Sequence, residues 1–87
     1  MQAMVVAGAK ISWEIPHARE RAAERDVPIF EAERIIRNPR SCRLSLGDAG
    51  DERWRASGFD SDGRPVDVVV KPVGRILRVV TVIRTDE

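Results

Sequence analysis

Residues 53–84 read RWRASGFDSDGRPVDVVVKPVGRILRVVTVIR, and this segment contains three runs predicted to be strands, of which the first alternates and the other two are rich in valine and isoleucine. Alternation with a period of two is typical of β-strands that bury one face. The pair Asp62-Gly63 separates the first two runs and is typical of a hairpin turn. The pair Val73-Gly74 separates the second run from the third. Because both connections are short, we expect the strands to pair as neighbours in an antiparallel meander.

Two further strands are predicted upstream of this segment. Residues 42–46, CRLSL, alternate in the same way, and the turn-forming residues GDAGD at 47–51 connect them to the next run. Residues 10–15, KISWEI, alternate strictly and predict a strand near the N-terminus. Residues 1–9 lack such a pattern and are predicted to be a flexible leader, so that residues 10–87 form a single domain.

Two short helices are predicted between the first strand and the second. Residues 17–26, HARERAAERD, consist mainly of alanine, arginine and glutamate, which are good helix formers, and Pro16 suits the first position of a helix. Residues 29–38, IFEAERIIRN, place apolar residues at helical spacing, and Pro39 ends that helix because the residue before proline avoids the helical region. The order β-α-α-β-β-β-β predicts an α+β fold in which a helical hairpin lies on one face of the antiparallel sheet.

The alternation also assigns strand side chains to the two faces of the predicted sheet. The face expected to carry the helices collects apolar residues, namely Cys42, Leu44, Leu46, Trp54, Ala56, Val66, Val68, Val70, Leu77, Val79 and Ile83. The opposite face collects cations, namely Arg43, Arg53, Arg55, Lys71, Arg78 and Arg84. A β-bulge would exchange the two faces beyond it, because a shift of one residue reverses the side-chain direction. We therefore expect a strongly cationic sheet surface on a chain whose net charge is only +1.

Composition limits the kinds of site that the chain is expected to hold. No apolar run is long enough for a transmembrane helix, and the N-terminus has no signal-peptide pattern. With one cysteine and one histidine, neither an internal disulfide nor a structural zinc site is expected, and a reducing cytoplasm is the expected location. Only Lys10 and Lys71 are lysines among the 15 basic residues. Arginine binds phosphate through a two-pronged fork, although a GC-rich genome also favours arginine codons.

The only histidine, His17, lies in the first predicted helix, and Arg21 and Arg25 follow it at four-residue spacing. On a helix these three side chains lie along one face. One interpretation is the basic edge of an active site. The other is a solvated surface, on which Arg21 pairs with Glu20 or Glu24 and the imidazole forms an ordinary hydrogen bond.

The segment ISWEIPHARERAAERDVPIFEAERIIRNP, residues 11–39, resembles the opening of the DUF4258 family. In that family a strand leads into a helix with the pattern His-x3-Arg-x3-Arg, and a second helix ends in Asn-Pro. His17, Arg21, Arg25 and the pair Asn38-Pro39 occupy the matching positions.

The C-terminal half carries a second set of resemblances. The segment RILRVVTVIR, residues 75–84, is similar to the last strand of the DUF4258 family. Residues 51–84 resemble the C-terminal half of BrnT-type toxins, which have an Arg-Trp strand, a glycine-centred hairpin and a closing strand. Both families are similar in architecture to RelE-like ribonuclease toxins.

These resemblances imply the toxin component of a toxin–antitoxin system, a metal-independent endoribonuclease that cleaves RNA by attack of the 2′-hydroxyl and needs no cofactor. His17 would then transfer the proton, and Arg21 and Arg25 would bind the phosphate. The residues expected to bind the RNA backbone along the sheet are Arg53, Arg55, Lys71 and Arg78. The expected partners are a cognate antitoxin and RNA, with no membrane, while ribosome dependence and homodimer formation are left open.

Two other functions fit the same residues. RelE-type toxins often place a tyrosine or a histidine near the C-terminus, and this chain has neither there. A non-enzymatic binding module would use the basic sheet face for nucleic acid or for an acidic protein partner, and its affinity would depend on the arginines and not on His17. A degenerate member of the family would keep the fold alone.

Overall fold

The computed structural model describes residues 10–47 and 49–85, and its elements follow the order β-α-α-β-β-β-β. The strands are β1 (Lys10–Ser12), β2 (Ser41–Leu46), β3 (Glu52–Phe59), β4 (Pro65–Val73) and β5 (Ile76–Arg84), and the helices are α1 (Pro16–Glu24) and α2 (Ile29–Arg37). Both helices pack on one face of a five-stranded sheet, which confirms the predicted α+β fold. The predicted leader, residues 1–9, lies outside the described residues.

The strand order across the sheet is β1-β5-β4-β3-β2. Strands β2 to β5 form the predicted antiparallel meander. Strand β1 departs from the antiparallel prediction, because it pairs in parallel with the beginning of β5. The two helices separate β1 from β2 in the chain, and they carry the backbone from one edge of the sheet to the other.

Helix α1 ends in a tight turn that reverses the chain towards α2. Asp26 adopts the left-handed conformation with φ of 56°. Its amide donates to the carbonyl of Ala23 at 3.1 Å, and the amide of Val27 donates to the carbonyl of Ala22 at 2.9 Å. This pair of bonds is the Schellman motif, in which aspartate replaces the more usual glycine. The carbonyl groups of the turn remain available for another donor.

The core lies between the helices and strands β3, β4 and β5. Ala18 and Ala22 are buried on α1, and their small side chains let the helix approach β5 closely. On α2, Ile35 and Ile36 are buried, and a Cβ added at Gly58 of β3 would lie 3.0 Å from the side chain of Ile35. The strands contribute fully buried side chains from Ala56, Val66, Val68, Val70, Leu77, Val79 and Val82.

Strand β5 contains a β-bulge that the sequence pattern did not indicate. Val69 of β4 lies opposite Thr81, whereas the next residue, Val70, lies opposite Val79. Strand β5 therefore has one extra residue, Val80, at this point. Beyond Val80 the side chains of β5 point to the faces opposite to those expected from uninterrupted alternation.

Because of the bulge, the predicted positions of two residues near the end of β5 are wrong. Ile83 was expected in the core but is only half-buried, and Val82 takes the buried position instead. Arg84 was expected on the cationic face but lies on the helix side of the sheet, where it is 6% exposed.

Strand β2 also differs from the prediction, because its inward-facing side chains are not covered. Leu44 and Leu46 were expected in the core but are 55% and 67% exposed, and Cys42 is half-buried. A helix with its side chains is about 10 Å wide, and neighbouring strands are about 4.8 Å apart. Two helices therefore cover about four strands, and α1 and α2 pack on β3, β4 and β5.

Candidate nucleic-acid interface

On strands β2 to β5, five cationic side chains occupy the sheet face that the helices leave open, and we call this surface the basic face: Arg43 of β2, Arg53 and Arg55 of β3, Lys71 of β4 and Arg78 of β5. The register of β1 with β5 places Lys10 at the edge of the same face. Each of them alternates along its strand with a residue of the helix side. In the ladders, Arg43 lies opposite Arg55 and Lys71 lies opposite Arg78. The structure thus brings together the four cations that the sequence assigned to RNA, and Arg43 joins them.

One carboxylate holds two members of the basic face. The carboxylate of Asp51 lies 3.0 Å from Nε of Arg53 and 3.6 Å from Nζ of Lys71. The hydrogen bond from Arg53 lowers the pKa of the Asp51 carboxyl below its ordinary value. Asp51 is therefore charged at neutral pH and offsets part of the positive charge at the β3 and β4 positions.

The other three cations of the basic face have different partners. Arg55 pairs with Asp67, whose side chain is 7% exposed. The guanidinium of Arg78 lies 3.8 Å from the carboxylate of Glu14, and exposed pairs of this kind contribute little to stability. Arg43 is exposed and forms no ion pair within residues 10–47 and 49–85. Five cations thus face three carboxylates, which leaves the basic face positive but less so than the sequence suggested.

Arg84, the sixth cation expected on this face, has a structural role instead. Its Nη1 lies 2.7 Å from the carboxylate of Asp60, and both side chains are 4% exposed. The same guanidinium donates to the backbone carbonyls of Arg25 and Asp26. These bonds join the end of β5 to the turn after α1 and to the hairpin between β3 and β4.

Asp60 organises that hairpin as well as pairing with Arg84. Its Oδ1 accepts hydrogen bonds from the amides of Asp62 at 3.0 Å and Arg64 at 2.9 Å. Gly63 follows with φ of 78°, which a side chain rarely allows, and this agrees with the predicted Asp62-Gly63 turn. The amide of Arg64, followed by the guanidinium of Arg84, lowers the pKa of the Asp60 carboxyl below its ordinary value.

The side chains of His17 and Arg21 each pair with a glutamate of α1. Nδ1 of His17 lies 3.3 Å from Oε2 of Glu20, and the His17 side chain is 77% exposed. Nη1 of Arg21 donates to Oε2 of Glu24 at 2.9 Å. Arg25 follows the last residue of α1 and is half-buried, and its carbonyl accepts from the buried arginine of β5.

The predicted catalytic and RNA-binding residues do not lie on one surface. His17 and Arg21 belong to α1 and Arg25 directly follows it, so that the predicted continuation of one helix face to Arg25 is wrong. Helix α1 packs on the helix side of the sheet, whereas the basic face is on the opposite side. Strand periodicity assigns side chains to the two faces of the sheet, but it does not say on which side of the sheet the exposed residues of a helix lie. The sequence therefore could not show that the two sets are on opposite sides.

A cleft at the β1 edge includes side chains from both layers, and it has a volume of about 480 Å³. It is lined by Arg78 of the basic face and by Lys10 and Arg19, which the sequence analysis did not select. Trp13 forms part of the wall, and its buried indole nitrogen has no hydrogen-bond partner in the described part of the chain. The parallel pairing of β1 with β5 brings these residues together, and no local sequence signal indicates that pairing.

Neither a metal centre nor a membrane segment is found among the described residues. Residues 10–47 and 49–85 hold no cluster of three histidine, cysteine, aspartate or glutamate side chains suited to a metal ion. Within the same residues, neither helix is long and apolar enough to cross a bilayer.

Comparison with known proteins gives one finding on the family. The model of the DUF4258 family, described as a domain of unknown function, matches residues 16–84. The match runs from the start of α1 to the end of β5 and confirms the DUF4258 resemblance. A search of curated proteins gives no match.

Proposed function

As the chain belongs to the DUF4258 family, which is defined by a domain and not by an activity, we propose that it is an RNA-directed toxin of a toxin–antitoxin pair. Its basic face holds the backbone of an RNA strand. The proposal rests on one observation, the gathering of five cations of β2 to β5 on the sheet face that α1 and α2 leave open. The likeness to BrnT-type and RelE-like toxins supports the toxin assignment as a resemblance of sequence pattern.

The chemistry of the basic face suits phosphate groups. Four of its five cations are arginines, whose planar forks match phosphate oxygens. Neighbouring cations are separated by one strand, about 4.8 Å, or by two residues along a strand, about 6.8 Å. Arg43 and Arg78 are the members least engaged by carboxylates. With a net charge of only +1 on the whole chain, RNA affinity has to come from this local arrangement.

The second part of the proposal is that the chain cleaves the bound RNA as a metal-independent endoribonuclease. Glu20 holds Nδ1 of His17, and an imidazole oriented in this way presents Nε2 to solvent as a base. Nε2 takes the proton of a ribose 2′-hydroxyl, the 2′-oxygen forms a bond to the adjacent phosphorus, and the bond from phosphorus to the 5′-oxygen breaks. The imidazolium returns the proton to the departing 5′-oxygen, and the products are a 2′,3′-cyclic phosphate and a 5′-hydroxyl.

In this proposal two arginines that follow His17 in the chain stabilise the charge that develops on the phosphoryl oxygens. They are Arg21 of α1 and Arg25, the residue directly after α1. One RNA strand reaches both sides of the sheet by passing the cleft at the β1 edge, where Arg19 of α1 and Arg78 of the basic face line the same space.

RNA binding is tested by fluorescence anisotropy with a labelled single strand of about twelve nucleotides. In the double variant Arg43→Gln/Arg78→Gln we expect affinity to fall about tenfold or more, and the slope of log affinity against log salt to fall by about 0.7 for each lost phosphate contact. Arg34→Gln is the matched control, because Arg34 is an exposed arginine of α2 on the other side of the sheet. Equal affinity of the double variant and the wild type would overturn the proposed RNA surface.

Cleavage is tested separately with His17→Ala. We expect this variant to bind RNA with unchanged affinity, to lose formation of the 2′,3′-cyclic product, and to relieve the growth arrest that the wild type causes on expression. If the wild type binds RNA without cleaving it, the chain is the non-enzymatic binding module. Harmless expression of the wild type in several hosts would contradict the toxin assignment.

A further inference from the structure

Strand β2 is an open edge of the sheet with an unused row of backbone groups. Among the described residues, β2 pairs with β3 and with no second strand. The amide of Gly47 donates at 2.8 Å to the carbonyl of Asp51, and these two residues continue the β2–β3 register one position beyond its last pair, Leu46 and Glu52. In an antiparallel ladder the amides alternate in direction, so those of Arg43 and Ser45 face β3. The amides of Cys42, Leu44 and Leu46 therefore face the open edge.

The same edge exposes an apolar strip on the helix side. Leu44 and Leu46 are 55% and 67% exposed, and Trp54, which lies opposite Leu44 on β3, is half-buried. Proteins usually protect open edges with a charged inward-facing residue, a proline or a bulge. The inward-facing positions of β2 are apolar, and the strand contains neither a proline nor a register shift against β3.

The segment that leads into β2 and forms it is rich in arginine, while Glu52 of β3 lies opposite Leu46. Residues 34–47 contain Arg34, Arg37, Arg40 and Arg43 but no aspartate or glutamate, and all four arginines are exposed. This segment carries a charge of +4 in a chain of net charge +1, so the remaining residues together carry −3. An acidic partner would therefore be attracted to this edge more than to most other parts of the surface.

We infer that β2 is a docking edge for an extended segment of another protein that alternates apolar and acidic residues. Such a segment adds a sixth strand by pairing with the outward amides of β2. Its apolar side chains cover Leu44 and Leu46 on one side of the sheet, and its carboxylates meet Arg43 on the other. This pairing requires neither RNA nor His17, so the inference does not depend on the proposed ribonuclease activity.

Charge and backbone chemistry favour this occupant over two others. A second copy of the chain would bring two arginine-rich segments together along the paired edges, which is unfavourable. RNA would satisfy the arginines but would leave the exposed leucines uncovered. Only an acidic and apolar strand satisfies the cations, the leucines and the open amides at once.

The test uses the full chain, labelled with ¹⁵N, and a synthetic peptide of about ten residues that alternates valine with glutamate. On binding, we expect hydrogen exchange at the amides of Cys42, Leu44 and Leu46 to slow by about tenfold or more. The amides of Arg43 and Ser45, which already face β3, provide the internal control and should change little. A peptide in which lysine replaces glutamate should not bind, and equal binding of both peptides would contradict the charge argument.

Two variants test whether the peptide binds at the β2 edge or at another exposed apolar side chain. We expect Leu44→Ser/Leu46→Ser to weaken peptide binding about tenfold or more, which corresponds to about 1.4 kcal/mol. Phe30→Ser is the matched control, because Phe30 is 72% exposed on α2 and lies away from β2. The inference fails if the three outward amides are unprotected in the complex or if Phe30→Ser weakens binding equally. It also fails if those amides become protected without peptide as protein concentration rises, since that indicates self-pairing.

RNA cleavage by the variant Leu44→Ser/Leu46→Ser should be unchanged.

Discussion

Strands β2 and β5 both point apolar side chains towards the helix side of the sheet, yet these side chains have opposite environments. On β5, Leu77 and Val79 are buried, and Arg84 is buried with them. On β2, Leu44 and Leu46 are more than half exposed. The strands differ in what lies above them, because α1 packs on β5, whereas α2 packs on β3 and β4 and leaves the leucines of β2 exposed. Alternation thus tells which side chains share a face only where the strand has no bulge, and burial depends in addition on whether another layer covers that face.

The comparison predicts a large difference between two arginines of β5. We expect Arg84→Met to lower the free energy of unfolding by about 3–5 kcal/mol, because it leaves the buried carboxylate of Asp60 without its cation. Arg78→Met, on the exposed face of the same strand, should change it by about 0.5 kcal/mol or less. Urea denaturation at neutral pH measures both. Similar changes in the free energy of unfolding for the two variants would mean that the bulge at Val80 does not place Arg84 and Arg78 on opposite faces of the sheet.

A second prediction compares two leucines at inward-facing positions. We expect Leu77→Ala to lower the free energy of unfolding by about 2–5 kcal/mol, because Leu77 is 1% exposed and its removal leaves a cavity. Leu46→Ala should cost about 0.5 kcal/mol or less, since the side chain is already in water. The same urea titration gives both values. A cost above about 2 kcal/mol for Leu46→Ala would show that β2 is covered in solution.

The smallest expected effect concerns acid stability at two carboxylates. Asp60 and Asp51 both have a lowered pKa in the folded chain, so each stabilises the fold above the ordinary carboxyl value and loses this contribution as pH falls. We expect the urea midpoint of the wild type to decrease below about pH 4. Asp60→Asn should make this decrease clearly shallower, whereas Asp51→Asn should change it less, because Asp51 is more exposed. If the urea midpoint of Asp60→Asn decreases as steeply as that of the wild type, the Asp60 carboxylate does not contribute to stability as described.

The sequence was sufficient for the elements but not for every contact between them. The helix boundaries at Pro16 and Pro39 and the turn at Gly63 follow from local backbone preferences, and the structure confirms them. The extra residue at Val80 lies in a uniform run of β-formers, where no residue type marks a bulge. For that reason the alternating pattern could not predict that the Arg84 side chain lies on the helix side of the sheet.

In the candidate site, too, the features that depend on one strand were predictable, whereas the contacts between elements were not. The cations of the basic face follow from strand periodicity, and the structure brings them together. The position of His17 relative to them depends on which side of the sheet α1 covers, and spacing within one helix carries no information on that. The cleft residues Lys10 and Arg19 meet through the parallel pairing of β1 and β5, which joins the two ends of the domain.

That parallel pairing also constrains how the chain folds as it is made. The ribosome delivers β1 first, but the strand beside which β1 lies is the last to emerge. Until then the first edge of the sheet has no neighbour, and the contacts of α1 with β5 are absent as well. The fold is therefore completed only after β5 has left the exit tunnel, and nascent chains that end before β5 should lack the final architecture.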